Sequence, residues 1–150
     1  MQELKKNKTN NDQAIGRSKG GLSTKIHATC DAIGNPTGFH LTPGQAHDLE
    51  GFDELIEDVS ADNLLADKAY DADERVRDVL RDKECNAVIP SKKNRVSPIE
   101  YDKDLYKARH LIENFFAKLK QYRAIATRYD KTSQNFLGAV YMASIFIWLN

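Results

Sequence analysis

Residues 22–42 read LSTKIHATCDAIGNPTGFHLT, and their pattern decides the fold. Leu22, Thr24, Ile26, Ala28 and Cys30 fall on one side of an extended chain. Ser23, Lys25, His27 and Thr29 fall on the other. Such alternation is the period of a strand with one buried face. Ile33-Gly34-Asn35-Pro36 carries turn chemistry, and Thr37 to Thr42 resumes as a second strand, closing a hairpin. His27 and His40 lie on opposite strands of that hairpin, but two histidines without a third ligand do not make a zinc site.

Downstream, the pattern changes to alternation of strands and helices. Asp48 opens a helix to about Val59. Asn63-Leu64-Leu65-Ala66 is a short buried strand ending at Asp67. Asp71 to Lys83 has helical spacing, with Val76, Val79 and Leu80 on one face, and Asn86 to Pro90 is another apolar strand. Residues 91–102, SKKNRVSPIEYD, form a basic loop. Asp104 to about Arg123 is a long amphipathic helix, and Gln134 to Leu149 is a helix apolar nearly all round, expected to be buried. On this order Phe136, Phe146 and Trp148 are core residues. A hairpin followed by strand–helix alternation predicts an α/β (α+β) domain, a mixed sheet flanked by helices. Residues 1–21, rich in Asn, Lys, Gly and Ser, are expected to be a flexible basic leader, with residues 22–150 as one domain.

Composition narrows the classes. With 150 residues, 41% of them hydrophobic, the chain can build one real core. The 22 basic and 22 acidic residues cancel, but not evenly along the chain. Residues 1–30 balance to +4, residues 31–90 to −10 and residues 91–150 to +6. Basic blocks are the footprint of a polyanion partner, or solvated faces of ordinary helices. The apolar stretch from Phe136 to Leu149 is too short for a membrane span. The N-terminus has no apolar core of a secretory signal, and Cys30 and Cys85 form no CxxC pair. A cytoplasmic protein is the expectation.

Two carboxylates stand out. Asp67 follows a buried strand, where open α/β sheets place their chemistry; it also suits the opening of a turn or the cap of the next helix. Glu113 lies on the long helix. At 100° per residue, Tyr106 and Lys120 fall about 20° from it and Arg109 about 40°, so the four share one narrow stripe. The apolar stripe of Leu105, Ala108, Ile112, Phe116 and Leu119 lies beside it, which puts Glu113 at the rim of the buried interface. Arg109 and Glu113 at i,i+4 also make an ordinary surface pair.

Residues 106–120, YKARHLIENFFAKLK, carry Tyr106, Arg109, Glu113 and Lys120 in a Y-x2-R-x3-E-x6-K pattern. This resembles the signature of DDE transposases from bacterial insertion sequences, in the groups numbered four and five. The segments GRSKGGLSTKIHA (16–28), LTPGQAHD (41–48), LLADKAYDAD (64–73) and KARHLIENFFAKLKQYRAIATRYDK (107–131) resemble the same group. The resemblance implies an RNase H-like fold and metal-dependent DNA strand cleavage and transfer during transposition. It implies Asp67 and Glu113 as the second and third catalytic, metal-binding carboxylates, with two Mg2+ or Mn2+ ions about 4 Å apart. Tyr106, Arg109 and Lys120 are implied to orient the DNA end, and the loop residues Lys92, Lys93 and Arg95 are candidates for backbone contacts. The implied partners are the terminal repeats of the element, an upstream transposase half or full-length transposase, and further copies in a homo-oligomer.

The sequence departs from the family's pattern in two ways, of which the expected lack of an amino-terminal helical DNA-binding region is one. The first aspartate, in an Asp-Ser-Thr context on the first strand, has no counterpart before Gly16. Asp12 and Asp31 are the nearest carboxylates, and Asp31 falls at the hairpin turn. The expectation is therefore a partial domain with its first strand missing. It is either the downstream product of a two-frame element or a decayed copy serving as an inactive DNA-binding or regulatory remnant.

Overall fold

A computed structural model describes residues 13–150; Asp12 and most of the expected leader lie outside the described residues. The hairpin forms as read. Strands β1 (Gly16–Ser18), β2 (Gly21–Cys30) and β3 (Pro36–Pro43) make an antiparallel sheet in that order. Ile26 pairs with Leu41 and His27 with His40, whose rings lie 6.3 Å apart. Asp31 closes the turn: its carboxylate accepts from the backbone N–H groups of Ile33 (3.0 Å) and Asn35 (2.9 Å). Part of the expected leader is ordered, because Gly16–Ser18 add a short strand to the start of β2.

Strands β4 (Asn63–Leu65) and β5 (Asn86–Val88) pair in parallel, as a sheet of their own. The sequence predicts one mixed sheet; the described residues form two. The reason lies in pairing. Beyond Ser23, β2 is paired on one side only, by β3, and no described strand joins it to β4. Ile26, Ala28, Leu64 and Leu65 are accordingly only half-buried.

Helix α1 (Asp48–Leu55) spans the two sheets. Its Phe52, with Ile56 in the 3-10 turn that follows, packs against Val76, Leu80, Cys85 and Ile89, flanked by Leu64 and Ala66. On its other side Gly51 lies against the buried His27 ring. A Cβ at Gly51 would lie 2.1 Å from His27 Cγ. The hairpin thus has two covered faces, not one, and His27 is buried with its Nε2 2.7 Å from Thr42 Oγ1. Gly51→Ala is expected to destabilise the fold by about 1–3 kcal/mol, the range for overpacking a filled site, as measured by urea unfolding.

Two further helical pieces follow: a π-helical turn (Asp73–Arg77) leading into α2 (Asp78–Asp82), and α3 (Lys103–Tyr106), capped by the Asp102 carboxylate. A 3-10 turn (Lys107–Arg109) joins α3 to α4 (His110–Leu119). Each 3-10 residue turns the chain about 20° further than an α-helical one, so three residues rotate the following face by about 60°. Phe115, which the straight-helix stripe left out, is buried with Leu119 four residues on, while Phe116 is only half-buried. Helix α5 (Arg123–Ala126) and α6 (Ser133–Leu149) complete the second core. Phe115, Leu119, Ile125, Phe136, Val140 and Ala143 pack there with Ile26, Ala28, Phe39 and Leu41.

Helix α6 departs from expectation. Phe136, Val140 and Ala143 are buried, but Tyr141, Ile145, Phe146 and Trp148 are exposed. The sheet and α4 cover one side of a helix whose apolar residues run all round. Among the described residues, no helix is long and apolar enough to cross a membrane.

Candidate active site

The turn after β4 holds the first carboxylate. Leu64 and Leu65 carry the strand, and the chain then turns through a 3-10 segment, Lys68–Tyr70, whose N-cap is Asp67. Asp67 Oδ1 accepts the Ala69 N–H at 2.8 Å, one of the donors a helix start leaves unpaired. Asp67 therefore caps the turn through Oδ1, and Oδ2 takes no part in that bond.

Glu113 comes from the first turn of α4. Arg109, four residues earlier, joins the two carboxylates. Its guanidinium donates to Glu113 Oε1 and lies 3.9 Å from Asp67 Oδ2. The same guanidinium sits 5.9 Å from the centre of the Tyr106 ring, which meets Tyr101 edge-on at 5.4 Å. Asp67, Tyr106, Arg109 and Glu113 are thus brought to one place from two separate elements. Burial pushes the Tyr106 phenol upward, against the pull of the Arg109 charge. Glu113 is more open than a rim position implies, with 57% of its side chain exposed. Lys120 is exposed at the C-cap of α4, seven residues and about 10 Å along the axis from Glu113.

Tyr70, which the sequence reading missed, stands at the same turn. Burial, with Asp48 and Asp67 nearby, pushes its phenol up to about 12, and its ring packs 6.4 Å from Phe52. Its signal in the sequence was position alone, three residues after Asp67.

A second cluster sits at the far end of that turn. The Asp71 side chain is 1% exposed and lies between two arginines. It accepts from Arg77 Nε (3.0 Å), from Arg95 Nε (2.9 Å) and NH2 (2.8 Å), and from the Lys92 N–H (2.8 Å). Arg77 also donates to the Ile89 carbonyl at 3.0 Å. Burial alone would push Asp71 upward; the bonds from Arg95, the Lys92 N–H and Arg77 outweigh it and hold the carboxyl far below the usual range. Arg95, expected at a DNA surface, is held by Asp71 and Asp73. Lys92 is half-buried and Lys93 exposed on the same loop.

Hard divalent ions take several oxygen ligands, and a two-metal site needs acidic side chains around both ions. Among the described residues no three His, Cys, Asp or Glu side chains stand together as such a group. Asp67 and Glu113 are two carboxylates sharing an arginine, and Asp31 is engaged in its own turn. The described residues by themselves do not fit a complete two-metal centre.

Asp67 at the end of a parallel strand thus meets Arg109 and Glu113, with the Tyr106 ring beside the guanidinium. A family model described as "Transposase DDE domain" matches residues 2–148, and the chain belongs to that family. A Brucella ovis protein named as a transposase for insertion sequence element IS6501 is 40% identical over 129 residues, covering 85% of this chain and 99% of that relative. No solved structure matches the chain. The chain is thus of the DDE insertion-sequence transposase type, a family whose chemistry depends on a divalent metal and whose substrate is DNA.

Because the Arg109–Glu113 pair is solvent-facing, Arg109→Gln is expected to change stability by less than about 1 kcal/mol. Its effect should fall on DNA affinity instead, with a loss of roughly tenfold and a shallower salt dependence in a fluorescence-anisotropy titration.

Proposed function

We propose that this chain provides two catalytic carboxylates of a transposase domain that cleaves and joins DNA strands at the ends of an insertion sequence. The observation that carries the proposal is the convergence of Asp67 and Glu113, from two distant segments, on the Arg109 guanidinium. In this reading they are two of three metal-binding carboxylates, and Mg2+ or Mn2+ is the ion. Arg109 offers a planar fork to a DNA phosphate and Lys120 a point charge one helical stretch away. Tyr106 stacks on Arg109 and limits where that fork can point. Lys92 and Lys93 extend the basic surface.

The third carboxylate arrives on an added strand. Among the described residues, β2 beyond Ser23 and β4 have open edges, and their apolar residues Ile26, Ala28, Leu64 and Leu65 are half-buried. An unpaired edge is a template for one more strand. That strand gives the sheet the RNase H-like continuity that two separate sheets lack, and an upstream transposase segment is its source. The exposed apolar face of α6 supports a chain that works in an assembly, a homo-oligomer included.

The incomplete carboxylate set favours a second reading, an inactive product that binds element ends or mixes with complete enzyme. Nicking of a labelled element end separates the two. Divalent-dependent nicking is expected when the upstream segment is supplied. Folded chain that binds the end but never nicks it, with or without that segment, would establish the second reading.

A further inference from the structure

The basic loop 91–99, SKKNRVSPI, contains no regular element, yet it is tied down at three levels. Ser91 Oγ accepts the Ile99 N–H at 2.8 Å and closes its base. The Arg95 N–H donates to the Lys92 carbonyl at 3.1 Å and folds its tip. The Lys92 N–H and the Arg95 guanidinium both reach Asp71, and Arg95 NH2 also donates to Asp73 Oδ1 at 2.6 Å. Asp71 is the residue that ends the Lys68–Tyr70 turn, its N–H bonded to the Lys68 carbonyl at 3.2 Å, and Asp67 starts the same turn. One buried carboxylate therefore fixes the loop to the turn that carries the candidate catalytic aspartate.

We propose that Asp71 and Arg95 form a strut that holds this loop rigid beside the site, so that Lys93 and Asn94 meet the DNA backbone while Arg95 faces inward. The inference rests on the DNA-binding reading above and changes the part Arg95 plays in it: Arg95 is a positioning residue. With two carboxylates around it, Arg95 adds little net field toward a phosphate. Lys93 and Asn94 are exposed, as are Val96, Ser97, Pro98 and Ile99 beyond Arg95, with Val96 99% exposed. A loop already ordered loses less conformational freedom when DNA binds, which is how a rigid mount raises affinity.

Charge alone and geometry make opposite predictions. Arg95→Lys keeps the positive charge but loses the planar fork that spans Asp71 and Asp73. Asp71→Asn removes a negative charge, which by simple attraction would tighten DNA binding. The strut predicts that both substitutions weaken binding of a labelled duplex by roughly tenfold. It also predicts faster trypsin cleavage after Lys92 and Lys93 in both variants, because nicking tracks loop opening. Wild-type affinity and unchanged nicking in Arg95→Lys would overturn the strut, and this variant keeps the test valid if Asp71→Asn does not fold. Faster nicking with unchanged DNA affinity would overturn the DNA role of the loop. If the wild-type chain binds no duplex, the DNA-binding reading itself fails, and unaltered nicking in Arg95→Lys would then also remove the strut.

Discussion

Asp71→Ala is expected to cost about 3–5 kcal/mol of folding stability at neutral pH, the range for removing one partner of a buried ion pair. Arg95 can turn toward Asp73 and water when Asp71 is gone. Arg77 cannot: its side chain is 9% exposed and keeps only the Ile89 carbonyl as partner. An uncompensated guanidinium inside the first core is the source of the loss. The effect has a pH signature. The folded-state carboxyl of Asp71 lies below its unfolded value of about 3.9, so its contribution is complete above that value. It fades as pH falls through the folded value. Urea unfolding at pH 7 and near pH 3 should therefore show the gap between wild type and Asp71→Ala narrowing in acid. A gap that is absent at pH 7, or that widens in acid, contradicts the role given to Asp71.

The same residue marks the limit of what the sequence discloses. Alternation from Leu22 to Cys30 and the turn at Gly34-Asn35 are local, and the hairpin follows from them. Glu113, Arg109 and Tyr106 are legible because helical spacing projects them onto one stripe, and Asp67 because it ends a short apolar strand. Asp71 instead meets Arg77 six residues on and Arg95 twenty-four residues on, with no periodicity linking the three. Only the folded chain brings them together. The split into two sheets was hidden for a related reason. Strand patterns show which residues are extended, but not which strands touch. Burial of α6 was overread because a helix without a polar side gives no clue to which face is covered. Trp148 and Phe146 therefore turned out exposed, and Phe136 buried.

The larger effects on activity are expected at Asp67 and Glu113. With the upstream segment present, Asp67→Asn and Glu113→Gln are each expected to lower the nicking rate by about a thousandfold or more, the scale on which catalytic groups acting as a unit contribute. Both are conservative in volume, and both side chains are about half exposed, so stability should change little. Groups that act as a unit are also non-additive: once one carboxylate is lost, losing the other costs little more. Independent contributions would instead multiply. The distinction bears directly on the contact that Arg109 makes with both side chains.

The decisive measurement is the initial rate of divalent-dependent nicking of a labelled element end by four proteins, each supplied with the upstream segment. These are the wild-type chain, Asp67→Asn, Glu113→Gln and the double variant. Nicking by wild type, near-complete loss in either single variant and no further loss in the double would establish Asp67 and Glu113 as parts of one catalytic centre. Wild-type nicking that survives both substitutions would contradict that assignment and leave the two carboxylates as a surface cap and a helix pair.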